Sequence, residues 1–243
     1  MKTFALVAIF AGGAALALLP NSGPSSVPLG RYATPLEGRT PNQRHNATLA
    51  MRSLEKVVIQ PGETFSFVQK VGSFSRDRGY RRAPVSYNGT LIKSWGGGVC
   101  QTSTTVYNAA LLAGLEIVER SHHRFSPSYV PPGRDAAVAY DAIDLKVRNP
   151  YSFPVTLHGS WNEKTLEAEF SGKSIPTKPR IVSQIRQFES PARLTLNTPS
   201  ESGRIRNTGK AGYEVATYRY VGSRRELISL DRYPSMPKVV EYD

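Results

Sequence analysis

The segment Gly96-Gly97-Gly98-Val99-Cys100-Gln101-Thr102-Ser103-Thr104-Thr105 holds the only cysteine of the chain, where a glycine-rich run passes into a helical pattern. A lone cysteine forms no intramolecular disulfide, and three consecutive glycines let the backbone approach a substrate closely. A thiol in the first turn of a helix is biased toward thiolate, because unpaired amide N–H groups and the helix dipole favour negative charge there. Cys100 is therefore a candidate nucleophile, the alternative being a small buried hydrophobe. Such a thiol needs a base. The only adjacent histidines, His122-His123, follow the cysteine's helix by one strand, and either ring could take the thiol proton or could structure a loop. His45 reads as a surface residue of a helix, and His158 as a strand residue. Asp135 ends the proline-bracketed run Ser128-Tyr129-Val130-Pro131-Pro132-Gly133-Arg134, placed to orient an imidazole, to bind a substrate amine or to serve the turn. Adjacent histidines diverge on a strand, and neither His-x₃-His nor Cys-x₂-Cys spacing occurs, so no metal or other cofactor is expected.

These residues need elements to carry them. Met1-Lys2-Thr3 and the uncharged, mostly apolar run from Phe4 to Leu19 give residues 1–22 the form of an export signal, a cleaved peptide in preference to a retained membrane anchor. Pro, Ser and Gly dominate residues 23–38, which read as a linker. Thr40-Pro41-Asn42-Gln43 has a capping-box pattern, and Ala47, Ala50, Met51 and Leu54 share one face, predicting a helix from about Pro41 to Glu55. Val57–Ile59 and Thr64–Phe67 read as short strands. A second helix starts near Cys100, turns Val106, Ala109, Ala110 and Ala113 inward, and stops at Gly114. Leu115 to Arg120 resumes as a strand, and the alternating segments from Val138 to Phe170 read as an antiparallel meander. Residues 173–243 carry strand-like runs separated by Gly, Asn and Ser. The expected fold is α+β: two core helices packed on a mostly antiparallel sheet in a domain over residues 39–172, with a small all-β appendage over 173–243.

The chain has 243 residues, 31 Lys plus Arg against 19 acidic residues, and a formal charge of +12. An anionic partner is implied. Export points to peptidoglycan carboxylates, anionic wall polymers or a membrane surface in preference to nucleic acid. The densest basic cluster runs from Arg76 to Arg82, around Arg78 and Tyr80, and is either a carboxylate clamp or a solvated loop. Oligomeric state leaves no mark on the sequence.

Pro61–Phe67, Arg78-Gly79-Tyr80 with Ala83-Pro84-Val85, Gly96–Ala110 and Tyr129–Asp135 together resemble the VanW family, over about residues 36–172. The family takes its name from an accessory protein of vancomycin-resistance clusters, and its association is with the Gram-positive-type cell envelope. Some members are thought to act as L,D-transpeptidases of an unusual type. The resemblance puts the nucleophile on Cys100 and the histidine of the family's Glu-Arg-x-x-His segment on His123, while His122 fills a variable position. It implies a peptidoglycan stem peptide as substrate and a Cys100 thioester as intermediate. In that chemistry the backbone N–H groups of Cys100 and Gln101 would hold the oxyanion, and Arg134 or the Arg76–Arg82 cluster would hold stem carboxylates. Gly209–Tyr213 and the following strand resemble the glycine-bearing β module that follows many VanW cores and is associated with wall-polymer binding; a form that only packs on the core is the alternative. Two other functions remain open: a non-catalytic wall-binding accessory protein linked to glycopeptide resistance, and a papain-like amidase or peptidase.

Overall fold

The computed structural model describes residues 26–87, 90–174, 177–197 and 203–242. The segment read as an export signal, 1–22, and the Asn88-Gly89 turn lie outside the described residues. In chain order the first elements are β1 (Val27–Pro35), α1 (Pro41–Arg52), β2 (Val57–Ile59), β3 (Thr64–Ser66), α2 (Phe67–Val71), β4 (Arg82–Tyr87) and β5 (Thr90–Trp95). There follow α3 (Val99–Leu112), β6 (Glu116–Glu119), β7 (Lys146–Arg148), β8 (Val155–Trp161) and β9 (Thr165–Gly172). The C-terminal strands are β10 (Arg180–Glu189), β11 (Arg193–Leu196), β12 (Gly203–Lys210), β13 (Gly212–Val221), β14 (Arg224–Tyr233) and β15 (Met236–Tyr242).

These strands make a four-stranded sheet β1-β9-β8-β2, three-stranded sheets β3-β7-β6, β10-β13-β14 and β11-β15-β12, and the hairpin β4-β5. Every pair is antiparallel except β11–β15. Few helices beside mostly antiparallel sheets is the α+β class, with one helix more than the sequence suggests: α2 takes over Phe67, which had read as the end of a strand. The α1 start follows its local chemistry. Thr40 Oγ1 accepts the Gln43 N–H at 3.2 Å while Gln43 Oε1 accepts the Thr40 N–H at 3.1 Å, which satisfies two of the donors a helix start leaves unpaired.

Helix α3 is buried on every side from Gln101 to Leu111, not on one apolar face. Its buried polar groups must find partners inside the protein, and they do so by stapling it to its neighbours. Thr102 donates to Ala47 O of α1 (2.9 Å), Ser103 to Ala136 O (2.7 Å), and Asn108 to Arg134 O (2.7 Å). Thr105 meets Thr34 of β1 at 2.8 Å. The last two of the first group matter most, because they grip the chain on both sides of Asp135.

The expectation of a linker over 23–38 is corrected. Val27–Pro35 is an edge strand paired with β9, with Leu29 and Thr34 buried. Proline and glycine there have other reasons than flexibility. Pro28 and Pro35 sit at the ends of an edge strand, where a missing N–H is tolerated, and Gly30 lies so close to the end of α3 that a Cβ would be 2.1 Å from Ala113 N. Gly38, in the loop that follows, has open space where a Cβ would go but φ +70°. Gly30→Ala should therefore lower the unfolding free energy by about 3 kcal/mol or more, and Gly38→Ala by only about 1–2 kcal/mol of backbone strain. Denaturant titration of the two variants checks this, and equal losses would show that β1 does not pack on α3 as described.

Candidate active site

Gly98 caps α3 at φ 114°, which places Cys100 in the first helical turn. The residue is partly buried, and its thiol donates to Val138 O at 3.4 Å and shares a hydrogen bond with the His123 imidazole. Burial alone pushes the thiol pKa up, but the hydrogen bond and positive charge of His123 outweigh it and hold the pKa below the ordinary thiol value. His123 responds in the opposite sense. Burial disfavours its charged form, yet hydrogen bonds from its ring to Asp135 and Cys100 raise its pKa to about 10. Both shifts favour a thiolate–imidazolium pair at neutral pH.

Asp135 holds the ring in place. His123 reaches Asp135 Oδ2 twice, through Nδ1 at 2.6 Å and through its backbone N–H at 2.7 Å, and with Nδ1 so engaged it is Nε2 that faces the thiol. The carboxylate is fully buried. Its other oxygen accepts from Tyr233 Oη at 2.5 Å and from an Arg120 amine at 3.3 Å, and the Arg120 Nε–H bonds the Asp135 carbonyl at 2.7 Å. Arg120 is held in turn by Asp231 at 2.6 Å. Burial pushes the Asp135 pKa up, but the His123 hydrogen bond and the charges of His123 and Arg120 win and bring it to about 2. The result is a Cys–His–Asp succession whose last member is bonded directly by Tyr233 of β14 and by Arg120, which Asp231 of β14 holds in turn.

Of the other residues singled out by sequence, most are placed elsewhere. The three glycines are required by the protein's own packing: a Cβ would lie 2.5 Å from the Phe74 side chain at Gly96, 2.7 Å from Pro84 O at Gly97 and 2.3 Å from Gln43 O at Gly98. Of the two N–H groups expected to hold an oxyanion, that of Gln101 is already given to Gly98 O at 3.0 Å; no described carbonyl takes that of Cys100. The Gln101 side chain reaches back to Thr34 and to Pro35 O (2.7 Å), fixing the end of β1. His122 turns away, bonded to His123 O and packed against the Tyr233 ring. Arg134 lies against Asn108 Oδ1 (2.5 Å), two turns along α3 from Cys100, and the Tyr32 ring. Arg78 caps the end of α2 by donating to Val71 O, and Tyr80 is buried, its ring 5.7 Å from Phe74 and its hydroxyl raised by burial to about 12. Of that basic cluster, Arg78 is thus spent on the end of α2 and the Tyr80 ring on the core. His45 and His158 bond Gly79 O and Ser171 Oγ, away from Cys100.

Arg120, Tyr129, Asp231 and Tyr233 were not singled out by their spacing. Tyr129 sits beside the thiol: its hydroxyl is hydrogen-bonded to Thr104, one helical turn after Cys100, and burial followed by the Cys100 charge pushes its pKa up. A cleft of about 380 Å³ between β6 and β14 is lined by Arg120, His122 and Asp231, behind the relay, and does not include Cys100. Among the described residues no group of three or more His, Cys, Asp or Glu is arranged to hold a metal, and no helix is long and apolar enough to cross a membrane.

A family model described as "VanW like protein" matches residues 42–171. The chain is 41% identical over 133 residues to the "Uncharacterized protein YoaR" of Bacillus subtilis (strain 168), covering 55% of this chain and 44% of that protein. It is 36% identical over 156 residues to the "Vancomycin B-type resistance protein VanW" of Enterococcus faecalis (strain ATCC 700802 / V583), covering 60% and 56% respectively. The chain thus spans about half the length of these relatives. No solved structure matches it.

The relay has a pH signature. Asp135, with its pKa lowered to about 2, stabilises the fold fully above the ordinary aspartate value near ~4, and that contribution is lost as pH falls through about 2. His123, raised to about 10, contributes fully below the ordinary imidazole value near ~6.5 and no longer once pH passes about 10. Chemical unfolding as a function of pH should show wild type losing stability between pH ~4 and ~2, and Asp135→Asn losing most of that acid dependence. An acid limb unchanged in Asp135→Asn would sink the assignment. Tyr233→Phe, which removes one donor to Asp135, should lower stability by about 1–3 kcal/mol.

Proposed function

Since the chain belongs to the VanW-like family, we propose that it is an exported cell-envelope enzyme, a cysteine-dependent acyl transferase of L,D-transpeptidase type acting on peptidoglycan stem peptides. The observation that carries this reading is the hydrogen-bonded succession Cys100–His123–Asp135, with the thiol pKa lowered and the imidazole pKa raised. A structural cysteine has no need of a charged base oriented by a buried carboxylate. The basic composition and the apolar N-terminal run support an anionic partner outside the cytoplasm. The printed name of the Enterococcus faecalis relative supports a place in vancomycin resistance.

The chemistry follows from the geometry. The Cys100 thiolate attacks the carbonyl carbon, and the oxyanion that forms lies beside the unspent Cys100 N–H at the positive end of α3. As the C–N bond breaks, the His123 imidazolium gives its proton to the departing amine, leaving a thioester on Sγ. A second stem's amine then attacks that thioester and His123 takes its proton. The C–S bond breaks, a new amide forms and the thiolate returns. Asp135 keeps Nε2 turned to the sulfur throughout and stabilises the charged ring. Water in place of the amine would turn the same site to hydrolysis, so the product decides between transferase and peptidase.

Intact-mass measurement of the purified chain incubated with a tetrapeptide stem should show an acyl adduct on wild type and none on Cys100→Ala, with cross-linked dimers once an acceptor stem is added. His123→Ala should slow acylation by about 10²–10⁴-fold. Equal masses for wild type and Cys100→Ala under all conditions would refute the nucleophile and favour the non-catalytic wall-binding function.

A further inference from the structure

Among the described residues, Arg39 and Arg134 are the two arginines whose guanidinium acidity is increased by burial. Arg134 has a bonding partner in Asn108. Arg39 has none. Among the described residues no carboxylate lies within ion-pair distance of its guanidinium and no hydrogen bond from that group is present; it stacks over the Tyr129 ring, whose centroid is 4.5 Å from Cζ. A partly desolvated cation without an anion is unfavourable in the free protein, and an incoming anion would relieve it.

Arg39 is linked to the surroundings of the thiol through Tyr129, which feels the charge of both Arg39 and Cys100. Arg39 lies in the short loop between β1 and α1, and both ends of the loop are fixed: Pro35 O accepts from the side chain of Gln101, the residue after Cys100, and Thr40 is the N-cap of α1. The loop itself is closed by the Arg39 N–H on Leu36 O and by the Arg44 Nε–H on Arg39 O, both 3.2 Å. Tyr129 stands between, its hydroxyl on Thr104 one turn along α3 from Cys100 and its ring under the guanidinium. The carboxylate of Asp135 has its oxygens filled by His123, Tyr233 and Arg120.

We propose that Arg39 is the carboxylate-binding residue of the Cys100 site and that it receives the free carboxylate of the amino acid expelled from the acyl donor. This rests on the thiol acyl-transfer reading above. It adds a specificity: the donor must end in a carboxylate one residue beyond the attacked carbonyl, so that peptides extended or amidated at that end are poor donors. Tyr129 is the platform that holds the guanidinium in the site through its ring face.

Two alkylating reagents of equal reach separate this proposal from the reading it rests on. In both, the thiolate displaces iodide and forms a C–S bond, but iodoacetate carries a carboxylate and iodoacetamide does not. With the full chain at pH 7, Arg39→Gln should lower the iodoacetate-to-iodoacetamide rate ratio by roughly tenfold, with Arg39→Lys keeping most of it. The wild-type ratio should also fall as salt is added. A ratio insensitive to Arg39→Gln, with iodoacetamide still reacting rapidly, overturns the Arg39 assignment and leaves the thiolate standing. An iodoacetamide rate no faster than that of a free thiol overturns the thiolate itself. In the donor assay, replacing the terminal carboxylate by an amide should raise KM for wild type and change little for Arg39→Gln; an equal rise in both would also count against Arg39.

Discussion

The buried carboxylate of Asp135 is the constraint around which this structure closes. An ionised carboxyl group removed from water is tolerated only when its lone pairs are met by donors and its charge by a counter-charge. Here four donors meet it, and they come from distant parts of the chain: the backbone and ring of His123, the guanidinium of Arg120 and the hydroxyl of Tyr233. Arg120 needs a second acid because it also serves the Asp135 carbonyl, and Asp231 supplies it. Satisfying one charge thus fixes the strand after α3, the loop before Asp135 and β14 of the C-terminal region relative to one another.

Helix α3 supplies the other half of the geometry. Its succession of Thr, Ser and Asn would be a poor choice for an apolar core, since each buried hydroxyl or amide left unpaired costs about 1–3 kcal/mol. Paired, the same groups work as fixed-length ties. Ser103 and Thr104 hold Ala136 while Asn108 holds Arg134, so the carboxylate between them is set at a defined distance from the start of the helix that bears Cys100. The thiol and the carboxylate are therefore both referenced to α3, and His123 bridges them. Cys100 therefore sits in a rigid environment: the helix that presents it is buried from Gln101 to Leu111, while Cys100 itself, in the first turn, is only partly buried.

What the sequence reveals follows the range of the forces involved. The capping box of α1, the helix opening at Cys100 and the β8–β9 hairpin are written in contiguous residues, and the structure has them within a few residues of their expected positions. Strand β1 is not legible, because the Pro and Gly that suggest a linker are required by an edge position and by the contact of Gly30 with α3. The glycine run hides its reason in a related way: its composition suits approach to a substrate, and its atoms are pressed against Phe74, Pro84 and Gln43. Cys100, His123 and Asp135 can be found from residue type and local setting. Tyr233 and Asp231 cannot, since they meet Asp135 and Arg120 across 98 and 111 residues of chain and no local pattern marks them.

The C-terminal strands are thereby more than an appendage. Because Tyr233 and Asp231 bond the groups that hold the His123 ring, any effect that seating of β14 has on Cys100 ionisation must be matched by an equal effect of that ionisation on the seating. If docking lowers the thiol pKa by one unit, the thiolate form must in return strengthen docking by about 1.4 kcal/mol relative to the thiol form. A region bound to the core only through apolar contact would have no such coupling. Here the contact includes a hydrogen bond from Tyr233 to the buried Asp135 and the ion pair of Asp231 with Arg120, so the C-terminal strands and the His123–Asp135 pair share one polar network.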